Sequence, residues 1–235
     1  MKIQLPGNEN NERIYSLDAL RGIMMLLGIV IHSSITYGVI EYGTNWGLKD
    51  VHSTHLGFDL LVSFIHVFRM PVFMVAAGYF GALLFYKRGG AVMLRNRMNR
   101  ILLPLVAGVI LIWPLIVISF TFSNASIAGS PHPLSDAIAA IASGAVLPFK
   151  TAHLWFIYYL FLFSVSGFFI ATLFNRPGKL SNAVNEIFKK ITLHAGLRFV
   201  SSSAIVFVCL LWMGTDHLKT NNTFIIDWPV FFTYF

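Results

Sequence analysis

Five apolar runs divide this chain, each separated from the next by a polar or basic stretch. They cover about Arg13–Gly38, Leu56–Tyr86, Ile101–Phe122, Leu154–Phe174 and Phe199–Met213. Each reads as a membrane-spanning helix, for which about 20 mainly apolar residues are needed. A further run, Pro229–Phe235, is too short to span and begins a sixth. The expected fold is all-α: a polytopic helical bundle of about five complete transmembrane helices plus the start of another. The sequence then reads as the N-terminal part of a larger bundle. Residues 1–235 are expected to form a single membrane domain, with Met1–Glu12 a mobile cytoplasmic tail.

Composition agrees with the pattern. The 235 residues are 56% hydrophobic and only 11% charged, with a mean hydropathy of +0.70. Those are membrane values, not those of a soluble core. The net charge of +7 does not point to nucleic acid, because the basic residues cluster between the apolar runs. The tail, Lys87–Arg100 and Asn175–Arg198, the last read as a basic loop, carry most of them. By the positive-inside rule this alternation puts the N-terminus in the cytoplasm. A single cysteine, Cys209, excludes an intrachain disulfide. The first run has no small-residue cleavage site after it and reads as an uncleaved signal anchor.

Polar residues inside the runs carry the candidate chemistry. In the first run, Asp18 and Arg21 are one helical turn apart. His32 follows Arg21 after about three turns, within about 20° of the same line. Ionisable groups in a bilayer are costly, about 2.5–3.5 kcal/mol on insertion scales for a charged side chain, and are functional candidates by default. A neutral, hydrogen-bonded packing histidine is the alternative reading of His32. In the second run Asp59 and His66 are seven residues apart and share a face, with Arg69 one turn further on. Pro71 is expected to kink or break that helix, and polar groups beside a kink favour a water-lined cavity. The same three residues also suit a network that merely pins helices together. Lys87–Arg100 reads as a helix lying in the membrane interface, with Arg97 and Arg100 on one face, or as a plain topology signal. Ser135–Leu147 suits a short interfacial helix, and the run from His153 to Tyr159 suits an aromatic belt.

Several of these stretches carry a resemblance. Leu17-Asp18-Ala19-Leu20-Arg21-Gly22 followed by His32 resembles the opening helix of the acyltransferase 3 family, integral membrane O-acyltransferases that modify polysaccharides. Phe68-Arg69-Met70-Pro71-Val72-Phe73, Ala77-Gly78-Tyr79-Phe80, Arg97-Met98-Asn99-Arg100 with Pro104, and His153-Leu154-Trp155-Phe156 extend the likeness along the chain, in the order found in the branch that succinylates periplasmic glucans. The resemblance implies that His32 is the catalytic base and that Arg21 marks the same helix; Asp18, too far along the helix to orient His32, is assigned to pairing with Arg21. It implies an acyl-coenzyme A donor, used as substrate with no bound cofactor or metal, whose phosphates are held by Arg97 and Arg100 with Arg95. Guanidinium forks suit phosphates. Substrate-side candidates are His66, Arg69, Asp59 and His153. The implied partners are acyl-coenzyme A, a glucan or other polysaccharide acceptor and the lipid bilayer, without nucleic acid, in a bacterial inner membrane. A proton-coupled transporter, an export component without acyl transfer and an inactive fragment of the acyltransferase are the alternatives.

Overall fold

The computed structural model describes residues 15–41, 46, 48–50, 52–174, 178–214 and 223–235. The expected tail, Arg13 and the basic residue Arg176 lie outside the described residues. All regular structure among the described residues is helical. In order come α1 (Tyr15–Tyr37), α2 (Leu56–Arg88), α3 (Gly90–Arg97), a π-helical turn (Met98–Leu102), α4 (Leu103–Ile127) and α5 (Pro133–Ala142). A 3₁₀ turn (Ala152–Leu154), α6 (Trp155–Phe174), α7 (Lys179–Leu193), α8 (Ala195–Met213) and α9 (Trp228–Tyr234) complete the order. Among the described residues five stretches are long and apolar enough to cross a membrane: α1, α2, the continuous stretch Gly90–Ile127, Ala152–Phe174 and α8.

Three expectations are corrected. Pro71 does not break α2, which runs for 33 residues through it. The basic stretch before the third span is not a separate surface helix. It joins that span through the π turn in one helical run of 38 residues. Most of the basic loop at Asn175–Arg198 is helix, because Leu180, Val184, Ile187 and Ile191 recur at helical spacing.

The chain forms two compact units. The first contains α1 and α2 as far as Ala76. Here α1 buries Met24, Gly28, Ile31 and Ser34. Ile31, Val62 and Ile65 form a core, with Leu27, Ile35 and Phe68 packed around it. Two polar contacts bracket that core. Towards the middle of α1, Arg69 Nε donates to the Met24 carbonyl at 2.7 Å. Beyond its end, the buried Asp59 carboxylate accepts the backbone N–H groups of Val39 (2.7 Å) and Ile40 (3.3 Å). Asp59 sits in the first turn of α2, where the positive helix end favours a carboxylate. The loop is tied down as well: Asp50 N–H donates to the Thr36 carbonyl and His55 N–H to that of Tyr37.

Glycine makes both polar contacts possible. In a helix the carbonyl of residue i bonds to the N–H of i+4, and the side chain of i+4 leans back over it. Gly28 is residue i+4 for Met24, so that carbonyl is uncovered, and its second lone pair is open to a guanidinium. A Cβ at Gly28 would overlap the Arg69 head group, and one at Gly38 would overlap the Asp59 carboxylate.

In the second unit, α5 packs along α4 with Ala137 wholly buried between them. Gly90 leaves room for the rings of Phe85 and Phe168, which meet edge to face at 6.3 Å. Pro229, Val230 and Phe231 of α9 are buried, and Phe163 meets Phe231 edge to face at 5.1 Å.

Alanine at two glycines of α1 should separate packing from propensity. Gly22→Ala, which meets nothing within 4 Å, should gain about 1 kcal/mol of helix propensity. Gly28→Ala should forfeit the Arg69 bond, about 1.5–3 kcal/mol for a charge-assisted contact, and end net destabilised. Thermal unfolding in detergent reads both; equal shifts for the two variants would dismiss the glycine window.

Candidate functional site

The first unit holds the candidate stripe of α1. Asp18 and Arg21 form an ion pair, Arg21 Nη1 to Asp18 Oδ1 at 3.9 Å, with both side chains partly exposed. His32 is half-buried and its Nδ1 is shielded. The face of α1 that grips α2 runs through Met24, Gly28 and Ile31. At 100° per residue, Arg21 and His32 lie about 60–80° to one side of Met24. The stripe therefore flanks the packing face and is not consumed by it.

The second-span candidates separate. Asp59 is 3% exposed and its carboxylate is occupied by the backbone beyond α1. Arg69 reaches the Met24 carbonyl, and its head group lies against Gly28, one turn before His32. His66 is exposed, and its side chain makes no hydrogen bond among the described residues. The single Asp59–His66–Arg69 network allowed by spacing is thus replaced by two contacts, each made to backbone. Arg69 and His32 end up closer in role than the sequence suggests, because two helices bring them to neighbouring turns.

The second unit holds the arginine motif. Arg97 Nη2 donates to the Ala77 carbonyl at 3.3 Å, next to Gly81, where a Cβ would come within 3.1 Å of the guanidinium. Ala77 and Gly81 are again i and i+4, so the same glycine window serves a second arginine. Arg95 and Arg100 are exposed. The π turn after Arg97 widens the spacing that an α-helix would give to Arg97 and Arg100. Of the three donor candidates, then, one is docked on protein and two are open.

The same unit carries His153, exposed in the 3₁₀ turn between the buried Thr151 and the partly buried Trp155. Ala152, just before it, has φ 45°, a left-handed conformation that costs a non-glycine residue energy. Patterning does not single out Trp113 and Lys150, which meet here. Trp113 Nε1 donates to the Val146 carbonyl at 2.8 Å, and Lys150 Nζ stands 5.9 Å from the Trp113 ring centre. The aromatic belt also does more than face lipid. Tyr158 Oη donates to the Phe224 carbonyl at 2.8 Å, and buried Tyr159 accepts the Asp227 N–H at 2.8 Å. No sequence signal short of the fold pairs residues 68 positions apart.

Comparison with known proteins gives a family and distant relatives. The profile described as an acyltransferase domain, Acyl_transf_3, matches residues 14–235. Proteins named glucans biosynthesis protein C from Escherichia coli strains K12 and O6:K15:H31 are each 26% identical over 219 residues. Those alignments cover 93% of this chain and 51% of each relative, so the chain spans about half the length of the curated relatives it matches. No solved structure gives a significant match.

The arginines should respond differently to truncation. Arg97→Ala should lower stability by about 1.5–3 kcal/mol through loss of its charge-assisted bond to Ala77. Arg95→Ala and Arg100→Ala should stay within about 0.5 kcal/mol, as exposed positions do. Denaturation in detergent is the measurement, and a stable Arg97→Ala protein would show that the contact is incidental.

Proposed function

The chain belongs to the acyltransferase 3 family, and from that premise we propose that the protein is a membrane O-acyltransferase. It moves an acyl group, succinyl being the first candidate, from a cytoplasmic acyl-coenzyme A to a hydroxyl of a polysaccharide such as a periplasmic glucan. The relatives' name, glucans biosynthesis protein C, supports a glucan acceptor. The alternation of basic stretches supports a cytoplasmic N-terminus, and the bacterial source of the relatives together with the apolar helices supports a bacterial inner membrane.

One observation carries the reading. The packing of α1 on α2 leaves the stripe of Arg21 and His32 at its flank, with the Arg69 head group one turn from His32. Eleven residues separate Arg21 from His32, about 16 Å along the helix, so one helix can address both a cytoplasmic donor and an acceptor deeper in the membrane. A neutral imidazole takes the proton of the sugar hydroxyl as its oxygen attacks the thioester carbon. The new O–acyl bond forms, the C–S bond breaks, and the coenzyme A thiolate accepts a proton. Asp18 holds Arg21 in place. Arg95 and Arg100, being open, suit the donor phosphates, while Arg97 shapes the turn that presents them.

His32→Ala, made in a protein of the relatives' full length, should lower acyl transfer about 10²–10⁴-fold, the range for a lost general base. Labelled acyl-coenzyme A and glucan are the substrates, with donor binding measured in parallel and expected to survive. His32→Gln keeps a hydrogen-bonding group but cannot take the proton. Turnover near wild type in that variant would remove His32 from the mechanism. Orientation is checked with impermeant cysteine probes: Lys49→Cys and Pro131→Cys should label from the periplasm, Arg95→Cys and Lys179→Cys only after the membrane is opened. Periplasmic labelling of Arg95→Cys would overturn the donor side.

A further inference from the structure

The helix α7 is not needed by any step above. Its sequence, KLSNAVNEIFKKITL, is 15 residues, about 22 Å long at 1.5 Å per residue, short of the ~30 Å hydrocarbon core. At 100° per residue, Leu180, Ala183, Val184, Ile187, Phe188 and Ile191 fall within about 140° of arc. Lys179, Asn182, Asn185, Lys189 and Lys190 lie outside it, with Lys179 and Lys190 along one border. Among the described residues most of the apolar face is uncovered: Leu180 is 68% exposed, Ile187 58% and Phe188 66%, while Val184 and Ile191 are partly buried.

Its two ends fix where it lies. Ser181 Oγ donates to the Phe174 carbonyl at 2.6 Å, which ties the first turn of α7 to the last residue of a spanning helix. At the other end only His194 separates α7 from α8, the next spanning helix. Both ends are therefore at a membrane surface, and the surface is the one that carries the arginine turn. Gly90–Leu102 follows the second spanning helix and α7 follows the fourth, so they emerge on the same side whichever way the chain is inserted. Contact agrees with this parity: Phe168, six residues before the end of α6, touches Gly90 at the start of α3.

We propose that α7 lies in the plane of the membrane surface as an amphipathic anchor on anionic lipid. Leu180, Ile187 and Phe188 enter the boundary between headgroups and acyl chains, and Lys179, Lys189 and Lys190 meet anionic headgroups. Charge selects this occupant. Three lysines against the single Glu186 leave the helix cationic, which suits an anionic leaflet, and an apolar face pinned between two spanning helices opens onto the bilayer beside them. The proposal stands independently of the acyl-transfer reading.

Spin labels on the whole protein, reconstituted in vesicles, test it. The background is Cys209→Ser, with Ile187→Cys or Phe188→Cys on the apolar face and Asn185→Cys on the polar one. In phosphatidylcholine with phosphatidylglycerol, labels at 187 and 188 should be reached by oxygen and not by an aqueous nickel chelate, at a depth of ~5–10 Å. The label at 185 should show the reverse. The depth at 187 should decrease in phosphatidylcholine alone, in high salt, and in the combined Lys179→Gln, Lys189→Gln, Lys190→Gln protein. A label at 187 and 188 shielded from both reagents would mean that protein covers the face, and one open to nickel that the helix stands in water. Either result overturns the proposal, as does a depth indifferent to phosphatidylglycerol.

Discussion

A guanidinium inside a bilayer has no water to turn to, and nearly every backbone carbonyl there is already engaged in its own helix. The two facts solve each other wherever a carbonyl's second lone pair can be reached. Glycine at i+4 is what makes it reachable. The chain uses this at Met24–Gly28 for Arg69 and at Ala77–Gly81 for Arg97. Each contact holds one helix against another while leaving the helical hydrogen bonds intact. Asp59 completes the pattern with opposite sign, by accepting N–H groups just past the end of α1 beside Gly38. Between the first two helices charge grips backbone, and apolar contacts such as Ile31 on Val62 and Ile65 fill the distance between grips.

Division of labour among the candidate residues follows from that constraint. Arg69 and Arg97 sit in recognisable short motifs, yet each is committed to a carbonyl. Arg21, Arg95 and Arg100 keep exposed head groups, as ligand-binding cations require. His32 lies between the classes. It is close enough to the packed face to be partly buried, and far enough around the helix to remain addressable.

Much of this was legible in the residues themselves. Apolar runs locate four of the five spans to within about four residues, since bilayer thickness imposes length directly, whereas the third helix begins at Gly90, well before its apolar run. The helical phase of Asp18, Arg21 and His32 needs no tertiary information, and their ion pair appears as spacing implies. Partners across helices were not legible. The spacing of Asp59, His66 and Arg69 suggests a shared face, but nothing in a sequence says that Asp59 will answer Val39 and Arg69 will answer Met24. The basic segment before α8 misled for another reason. Its lysines mark membrane topology, and that signal overlies the 3.6-residue period that makes it a helix.

The π turn at Met98–Leu102 has a mechanical consequence. A π turn is an α-helix that has taken in one residue of slack without interrupting its axis. Removing one residue would return it to α geometry and turn everything before it by about 100° relative to α4. Arg97 is clasped to Ala77 and cannot follow such a turn freely, whereas Arg100 can. The joint therefore works as a gear with one tooth to spare: its register, more than the chemistry of either arginine, decides which way the open guanidinium faces.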